Sequence, residues 1–247
     1  MLCRALMRRA GVDNVVMQAV LPWLSLIVPV LDEGPALESA LQALAARPGV
    51  ELIVVDGGSS DASLALAHQW ADLALSAPRG RAVQMNAGAA VARGQWLLFV
   101  HADTRLPAQA WQQLDQLPAG SLWGRFDVRI DDPHWLLALV GFMMNLRSRL
   151  SGIATGDQAI FVRREVFEKL GGFPDIALME DIALSRKLKA LGRPVCLRTP
   201  VITSARRWLR HGIWSTIWLM WRLRAAYFFG ADPDALALRY GYRPRSR

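Results

Sequence analysis

Residues 51–61 read ELIVVDGGSSD, an apolar run that ends in an acidic, glycine-rich loop. Apolar residues at consecutive positions are typical of a short strand that is buried on both faces of a sheet. Three further strand patterns and three helical patterns alternate with this one: strands at 24–30, 72–75 and 95–100, and helices at 35–46, 62–70 and 81–92. The order β-α-β-α-β-α-β predicts an α/β fold with a mostly parallel, Rossmann-like sheet flanked by helices.

The alternation changes after residue 117. Strands are predicted at 121–130 and 159–163, and helices at 133–150, 164–172 and 177–191. The last helix is expected to begin near Glu180 and Asp181. An acidic pair in a first helical turn is favourable for the helix dipole, so this pair alone does not require a catalytic role.

The composition indicates a folded protein. Of the 247 residues, 53% are hydrophobic and 20% are charged, which is too apolar for a disordered chain. The two cysteines lack the Cys-x-x-Cys spacing of zinc and redox sites. Neither Gly-x-Gly-x-x-Gly nor the P-loop pattern occurs, which argues against a dinucleotide-dependent dehydrogenase and a P-loop enzyme.

The net charge of +8 is concentrated in residues 193–247, which balance to +9, whereas the residues before them balance to −1. The same segment contains four tryptophans, Trp208, Trp214, Trp218 and Trp221. Aromatic residues mixed with arginine favour an anionic membrane surface over nucleic acid as a partner. Residues 212–230 are apolar but include two arginines, each of which costs about 2.5–3.5 kcal/mol at a bilayer centre. We therefore expect this segment to lie on a membrane and not to cross it.

Carboxylates directly follow three of the predicted strands: Asp32 and Glu33 after the first, Asp56 after the second and Asp103 after the fourth. Ligands of parallel sheets bind beyond the carboxyl ends of the strands, so these side chains are expected to line one site. Asp56 and Asp103 predict a site for a cation or for a ligand rich in hydrogen-bond donors. Asp61, just before a helical pattern, is predicted to be a helix N-cap.

Five short motifs occur in order along the chain: IVPVLDE at 27–33, VVDGGSSD at 54–61, RGRAVQMNAG at 79–88, FVHAD at 99–103, and GGF at 171–173 followed by Glu180 and Asp181. Together they resemble the family 2 glycosyltransferases, which have the GT-A fold, over about residues 22–208. Three further runs are most similar to the bacterial subgroup named for arsenosugar biosynthesis or for association with radical-SAM enzymes: GDQ at 156–158, LMED at 178–181 and SARRW at 204–208.

The resemblance implies a nucleoside diphosphate sugar as the donor, with a UDP-sugar favoured. Asp56 would accept a hydrogen bond from the base, and Arg81 suits a diphosphate because a guanidinium matches two oxygens at once. Alternatively, Arg81 is a surface arginine at a helix N-terminus and binds no ligand. The residues implied to bind the nucleotide are Pro29, Asp32, Glu33, Asp56, Arg81, Asn86, Ala102 and Asp103.

The resemblance also implies a divalent cation, which would stabilise the charge that develops on the leaving diphosphate. The family's Asp-x-Asp metal motif is replaced here by His101, Ala102 and Asp103. Asp103 is therefore the implied ligand, while His101 could ligate the metal, orient a water or merely pack. Oxygen-rich coordination implies Mg²⁺ or Mn²⁺.

Inversion at the anomeric carbon requires a base on the acceptor side. Asp181 matches the acidic residue that acts as this base in the family. Glu180 is implied to orient Asp181 or to touch the acceptor. Asp157 and Gln158 are implied to form the acceptor floor, although Asp157 could instead cap a helix or pair with Arg163.

Arg207 and Trp208, implied to lie on the acceptor or diphosphate side, resemble part of the Gln-x-x-Arg-Trp motif of processive relatives. Ser204 stands at the Gln position, which argues against a processive polymerase. The residue pattern and the resemblance together predict three parts of the chain. These are a poorly structured leader at 1–20, the GT-A catalytic domain at 21–205 with a nucleotide-sugar half (21–105) and an acceptor half (106–205), and a basic, aromatic-rich segment of amphipathic helices at 206–247.

Two other functions remain open. A polyprenyl-phosphate sugar synthase would have an acceptor oxygen that is already ionised and needs no base. The second is a non-catalytic, membrane-associated nucleotide-binding relative of such enzymes. In that protein, His101 would stand where a metal-binding carboxylate has been lost. The apolar segments at 135–144 and 208–229 could contact lipid on the cytoplasmic face of the plasma membrane, pack in the core or form a homodimer.

Overall fold

The computed structural model describes residues 21–45 and 47–242, and the predicted leader at 1–20 lies outside them. The strands are β1 (Leu24–Val30), β2 (Val50–Asp56), β3 (Leu73–Ser76), β4 (Trp96–Phe99), β5 (Thr104–Arg105), β6 (Trp123–Asp131), β7 (Phe161–Arg163) and β8 (Val195–Ser204). The helices are α1 (Ala36–Leu44), α2 (Ser63–Trp70), α3 (Arg81–Val91), α4 (Ala108–Asp115), α5 (Trp135–Ser151), α6 (Arg164–Lys169), α7 (Glu180–Leu191), α8 (Arg206–His211), α9 (Ile213–Phe228) and α10 (Pro233–Tyr240), with a 3₁₀ turn at Gly156–Gln158.

The strands form one mixed sheet in the order β3-β2-β1-β4-β7-β6-β8-β5. β1 is parallel to β2 and β4, and β2 is parallel to β3, which is the arrangement predicted from the β-α-β order. Beyond β4 the directions are mixed, because β7 is antiparallel to both of its neighbours whereas β8 is parallel to β6. The predicted α/β class is confirmed.

The central strands are buried on both faces of the sheet. Leu26 and Val54 belong to the hydrophobic layer on one face, and Ile27 and Ile53 belong to the layer on the other. Burying a side chain of this size stabilises the fold by roughly 1.5–3 kcal/mol. Helices cover both faces, so the polar loops that follow β1, β2 and β4 are collected at one edge of a rigid sheet.

Three elements have no counterpart in the sequence prediction: β5, α4 and β8. β8 has ten residues, but Arg198 and Pro200 interrupt its apolar pattern and most of it is only half-buried. Proline cannot donate to a strand ladder, and the pairing of β8 with β6 shifts register between Phe126 and Asp127. β5, with two residues, is too short to produce a pattern.

The C-terminal helices pack on the half of the sheet that carries α7. Leu223 of α9 and Leu236 of α10 contact a hydrophobic cluster with Leu178 and Ile182, which flank the start of α7. Within the described residues, no helix combines the length and the apolar character that a membrane span needs.

Candidate active site

Asp56 ends β2 and is only 2% exposed. Its Oδ2 atom accepts hydrogen bonds from the backbone N–H groups of Gly58, at 2.8 Å, and Ser59, at 3.0 Å. Its Oδ1 atom is shielded from solvent and has no hydrogen-bond partner among the described residues. An unsatisfied buried acceptor costs about 1–3 kcal/mol, which a donated hydrogen bond would recover. Asp56 itself is not among the residues that line the pocket described below.

Asp32 and Asp61 join the loops that follow β1 and β2. The backbone N–H of Ser60 donates to Asp32 Oδ1 at 2.7 Å, and the N–H of Gly34 donates to Asp61 Oδ2 at 2.8 Å. The hydrogen bonds from Ser63 are the main cause of the lowered pKa of Asp61. Because α2 begins at Ser63, Asp61 lies one residue before the N-cap and not at it, which corrects the sequence prediction. The carboxylate of Asp32 is likewise used within the loops, and its contact with a nucleotide stays a prediction.

Gln84 of α3 supports the same edge, and the sequence reasoning missed it. Its Nε2 atom donates to the carbonyl oxygens of Val30 and Val55, both at 2.8 Å, and therefore ties the ends of β1 and β2 together. A Cβ atom on Gly57 would lie 3.0 Å from the Gln84 amide, so the loop has little room for a side chain there. The sequence signal that could have identified Gln84 is a polar residue at a buried position of a helix.

A pocket of about 470 Å³ opens at this edge of the sheet. Five of the residues implied to bind the nucleotide line it: Pro29, Glu33, Arg81, Ala102 and Asp103. Arg81 is the first residue of α3, and Arg79 lines the pocket two residues before it. Two guanidinium groups at a helix N-terminus make this wall suitable for a diphosphate.

Asn86 makes a different contact. Its Nδ2 atom donates to the carbonyl oxygen of Phe173 at 2.8 Å, and its Oδ1 atom accepts from the Phe173 N–H at 3.0 Å. A Cβ atom on Gly172, whose φ is +70°, would lie 2.6 Å from Asn86 Oδ1. Asn86 therefore holds the loop before α7 against α3, and both of its amide atoms are already engaged.

Asp103 and Glu33 both face Arg206 across the pocket. The Arg206 Nη2 atom lies 3.0 Å from Glu33 Oε2 and 3.7 Å from Asp103 Oδ2, and the Asp103 side chain is 31% exposed. Over the part of the chain that is described, no three His, Cys, Asp or Glu side chains form a cluster able to hold a metal. Mg²⁺ commonly binds through one or two carboxylates plus substrate phosphates, and an accessible carboxylate in a diphosphate-sized pocket fits that mode.

His101 contacts the 3₁₀ turn. Its Nδ1 atom lies 3.5 Å from Asp157 Oδ1, and a Cβ atom on Gly156 would lie 2.6 Å from its Nε2 atom. The crowded surroundings oppose ionisation of Asp157, but the hydrogen bond and charge of His101, with nearby arginines, hold the pKa of Asp157 below its usual value. Asp157 thus pairs with His101 and not with Arg163. Metal ligation by His101 stays a prediction.

Asp181 and Glu180 open α7, as predicted. The N–H of Gly156 donates to Asp181 Oδ2 at 2.7 Å, and the N–H of Ile182 donates to Asp181 Oδ1 at 2.7 Å, which fixes the orientation of the carboxylate. Glu180 is only 5% exposed. Burial and then the charge of Asp181 raise the pKa of Glu180 to about 7. Both residues line a small recess that shares His101 with the main pocket.

Gln158 is fully buried beneath the 3₁₀ turn. Its Nε2 atom donates to Asn145 Oδ1 at 3.3 Å, and its Oε1 atom accepts from the Thr155 N–H at 3.2 Å. It therefore supports the floor that carries Asp157 and does not face the pocket.

Arg207 and Trp208 line the pocket together with two tyrosines that the sequence reasoning missed, Tyr240 and Tyr242. Arg207 Nη2 donates to the carbonyl oxygen of Tyr240 at 2.6 Å, and the Arg207 guanidinium lies 3.5 Å from the centre of the Tyr240 ring. The guanidinium of Arg79 lies 5.2 Å from the centre of the Tyr242 ring. The end of α10 thus closes over the pocket. No local pattern signals these contacts, because they join parts of the chain that are far apart in sequence.

The sequence matches a known family. Residues 25–171, more than half of the chain, match the profile described as Glycosyl transferase family 2. This chain is 29% identical over 167 residues to the PGL/p-HBAD biosynthesis glycosyltransferases of Mycobacterium bovis and Mycobacterium tuberculosis. The match covers 62% of this chain and 63% of those relatives, so the chain spans less than two thirds of their length.

Solved structures share the fold. The mannosyltransferase PcManGT from Pyrobaculum calidifontis, in complex with GDP-Man and Mn²⁺, has a TM-score of 0.61 at 22% identity, covering 92% of this chain and 67% of its own. Glucosyl-3-phosphoglycerate synthase from Mycobacterium tuberculosis, in complex with Mn²⁺, UDP and glucosyl-3-phosphoglycerate, has a TM-score of 0.59 at 18% identity, covering 92% and 82%. The finer subgroup inferred from the sequence stays a prediction. The profile match and the shared architecture together show that the chain belongs to glycosyl transferase family 2 and has the GT-A fold.

Proposed function

We propose that the protein is an inverting, metal-dependent glycosyltransferase that moves a sugar from a nucleoside diphosphate sugar to an acceptor hydroxyl. The observation that carries the proposal is the shielded Oδ1 atom of Asp56, which lacks a donor partner among the described residues. The ring N–H of uracil or guanine would supply that donor. The two structures described above were solved with UDP or with GDP-Man, and we expect a UDP-sugar here.

The diphosphate of the donor would lie in the 470 Å³ pocket, which Arg79, Arg81 and Arg206 line. Guanidinium groups bind phosphate oxygens in pairs, so these residues would fix the leaving group. Mg²⁺ or Mn²⁺ held by Asp103 and the diphosphate would neutralise the charge that develops on the leaving group.

Asp181 is the proposed catalytic base. The acceptor oxygen attacks the anomeric carbon opposite the diphosphate, so the new C–O bond forms as the bond to the diphosphate breaks, and configuration inverts. The acceptor proton passes to the Asp181 carboxylate, which the N–H groups of Gly156 and Ile182 hold in place. Glu180, with its raised pKa, is the proposed orienting partner.

Donor hydrolysis without an acceptor tests this function. We expect the protein to cleave one class of nucleoside diphosphate sugar with Mn²⁺ and not with EDTA, and ¹H NMR to show the inverted anomer first. Asp103→Asn should abolish cleavage, whereas Asp115→Asn, which changes an exposed carboxylate at the end of α4, should not. A retained anomer would contradict inversion. Nucleotide binding without turnover of any donor would support the non-catalytic alternative.

We also propose that the protein contacts an anionic membrane surface. α5 and α9 both expose large apolar side chains, which together we call the aromatic face: Trp135, Leu139, Phe142, Met143, Leu146, Leu150, Trp214, Trp218, Trp221 and Phe228. The two helices are adjacent, since Leu137 of α5 and Ile213 of α9 share a hydrophobic cluster. Residues 135–151 and 206–229 contain seven arginines and no acidic residue, which favours anionic lipid over a second copy of this basic chain.

Co-sedimentation with vesicles tests the membrane proposal. Vesicles of phosphatidylserine and phosphatidylcholine should bind the protein, and those of phosphatidylcholine alone should bind it far less. The double variant Trp214→Ser, Trp218→Ser should weaken binding at least ten-fold, whereas Val91→Ser, an exposed apolar residue of α3, should leave it unchanged. A dimer detected by light scattering that the double variant disrupts would assign the aromatic face to a homodimer instead.

A further inference from the structure

Arg206 contacts both carboxylates at the end of the pocket where the metal is proposed to bind. Its Nη2 atom donates a hydrogen bond to Glu33 Oε2 at 3.0 Å and lies 3.7 Å from Asp103 Oδ2. The three residues come from distant parts of the chain, because Glu33 follows β1, Asp103 follows β4 and Arg206 begins α8. One guanidinium group therefore balances the charge of two carboxylates.

The Arg206 side chain has room to change partners. It is 57% exposed, and the backbone N–H of the same residue donates to Ser204 Oγ at 3.1 Å, a contact that does not involve the guanidinium. Arg206, Glu33 and Asp103 line the 470 Å³ pocket and also a second cavity of about 350 Å³ beside it. Since open space borders Arg206 on two sides, its guanidinium can turn without repacking of the core.

Arg206 competes with a divalent cation for Asp103. Two positive charges close to one carboxylate repel each other, so Arg206 in contact with Asp103 weakens the binding of a metal ion alone. A diphosphate can bind both partners, because its oxygens coordinate Mg²⁺ or Mn²⁺ and also accept hydrogen bonds from a guanidinium. The diphosphate is therefore the ligand that allows Arg206 to leave Asp103 and keep a negatively charged partner.

We propose that Arg206 couples metal binding to diphosphate binding, by pairing with Asp103 until the diphosphate of the donor binds its guanidinium and Asp103 can hold the metal. This inference rests on the proposed function, because it assigns a binding order to the same site. The protein then takes up metal and nucleotide as a pair and binds the metal alone poorly. Such coupling is reciprocal, so UDP and Mn²⁺ raise each other's affinity by the same factor.

Mn²⁺ binding in the absence of any sugar donor tests the coupling. Mn²⁺ is titrated into the wild type, Arg206→Gln and Arg206→Lys, and the unbound ion is measured by electron paramagnetic resonance. Arg206→Gln should bind Mn²⁺ at least three-fold more tightly than the wild type, because the competing charge is removed. Arg206→Lys keeps that charge and should bind Mn²⁺ like the wild type. A gain in metal affinity cannot come from a loss of structure.

Calorimetry with UDP measures the other side of the coupling. The affinity for UDP is determined in EDTA and in saturating Mn²⁺, and the ratio of the two affinities is the coupling factor. We expect this factor to be at least three-fold smaller in Arg206→Gln than in the wild type, since UDP no longer has to release Asp103 from a competing cation.

Arg105→Gln is the matched control. Arg105 is 58% exposed, lies two residues after Asp103 and pairs at 2.5 Å with a different carboxylate, that of Asp131. The variant therefore removes an equally exposed positive charge near Asp103, and its Mn²⁺ affinity and coupling factor should equal those of the wild type.

The outcomes separate the coupling from the proposed function. If Arg206→Gln binds Mn²⁺ no more tightly than the wild type, or if Arg206→Lys or Arg105→Gln gains as much affinity as Arg206→Gln, the coupling by Arg206 is wrong and the proposed function stands. An unchanged coupling factor in Arg206→Gln would also overturn it. If the wild type binds no nucleoside diphosphate in the presence of Mn²⁺, the proposed function itself fails.

Discussion

The donor end and the acceptor end of the site are constructed differently. At the donor end, Asp56, Asp32 and Gln84 make their hydrogen bonds to the backbone of two adjacent strands and their loops. At the acceptor end, Asp181 and Asp157 are positioned by contacts among a helix, a 3₁₀ turn and the histidine after β4. The donor end is thus held by hydrogen bonds to the backbone of adjacent strands and their loops, whereas the acceptor end is held by the packing of a helix against the 3₁₀ turn. We infer that the two ends can be disabled separately.

Asp181→Asn should produce the largest effect. Removing a general base costs roughly 10²- to 10⁴-fold in turnover, whereas UDP affinity should not change because Asp181 lies at the acceptor end. Steady-state kinetics with a hydroxyl acceptor and calorimetry with UDP measure the two quantities. Turnover close to that of the wild type would favour the polyprenyl-phosphate alternative, in which the acceptor needs no base.

Asp56→Asn should produce the opposite pattern. The loss of a charged acceptor for the base N–H should weaken UDP binding by roughly 10- to 100-fold, which corresponds to about 1.5–3 kcal/mol. Calorimetry with UDP and Mn²⁺ measures it. The matched control is Asp61→Asn, because both Asp61 carboxylate oxygens already accept backbone N–H groups, from Gly34 and from Ser63, and this variant should retain most of the affinity. Equal affinity in Asp56→Asn and the wild type would rule out Asp56 as the base contact.

Gly156→Ala tests the packing of the acceptor end. The added Cβ atom would lie 2.6 Å from His101 Nε2, so the turn that donates to Asp181 must shift. Misplacing a catalytic group by about 1 Å costs roughly 10- to 100-fold, and we expect this loss in turnover with unchanged UDP affinity. The double variant with His101→Ala should recover part of the loss. If Gly156→Ala alone is fully active, the turn does not position the base.

Glu180→Gln tests the buried carboxyl through stability. Because the folded-state pKa of Glu180 is raised from 4.5 to about 7, the fold gains from its neutral form below pH 4.5 and loses that gain as the pH rises through 7. The melting temperature of the wild type should therefore fall more between pH 5 and pH 8 than that of Glu180→Gln. The difference should exceed the roughly 2–4 °C that 1 kcal/mol represents in a domain of this size. Identical pH profiles would mean that Glu180 is not held in its neutral form.

The same contrast explains how much the sequence could predict. Local patterns were sufficient for β1 to β4 and for the loops carrying Asp56 and Asp103, since consecutive apolar residues and strand-end carboxylates lie within a few positions of each other. They were insufficient for β8, where Pro200 breaks the pattern, and for Tyr240, which meets Arg207 only through packing of α10. Gln158 and Asn86 were placed near the ligand by resemblance, whereas their bonds are to the protein itself.

The most direct test of the two-ended site is a single thermal-shift experiment with UDP and Mn²⁺ on the wild type, Asp56→Asn, Asp103→Ala and Asp181→Asn. A ligand at 100 times its dissociation constant stabilises by about 2.7 kcal/mol, which is several degrees here. We predict equal shifts for the wild type and Asp181→Asn, and much smaller shifts for Asp56→Asn and Asp103→Ala. A shift that is lost in Asp181→Asn, or that persists in Asp56→Asn, would contradict the separation of donor and acceptor ends.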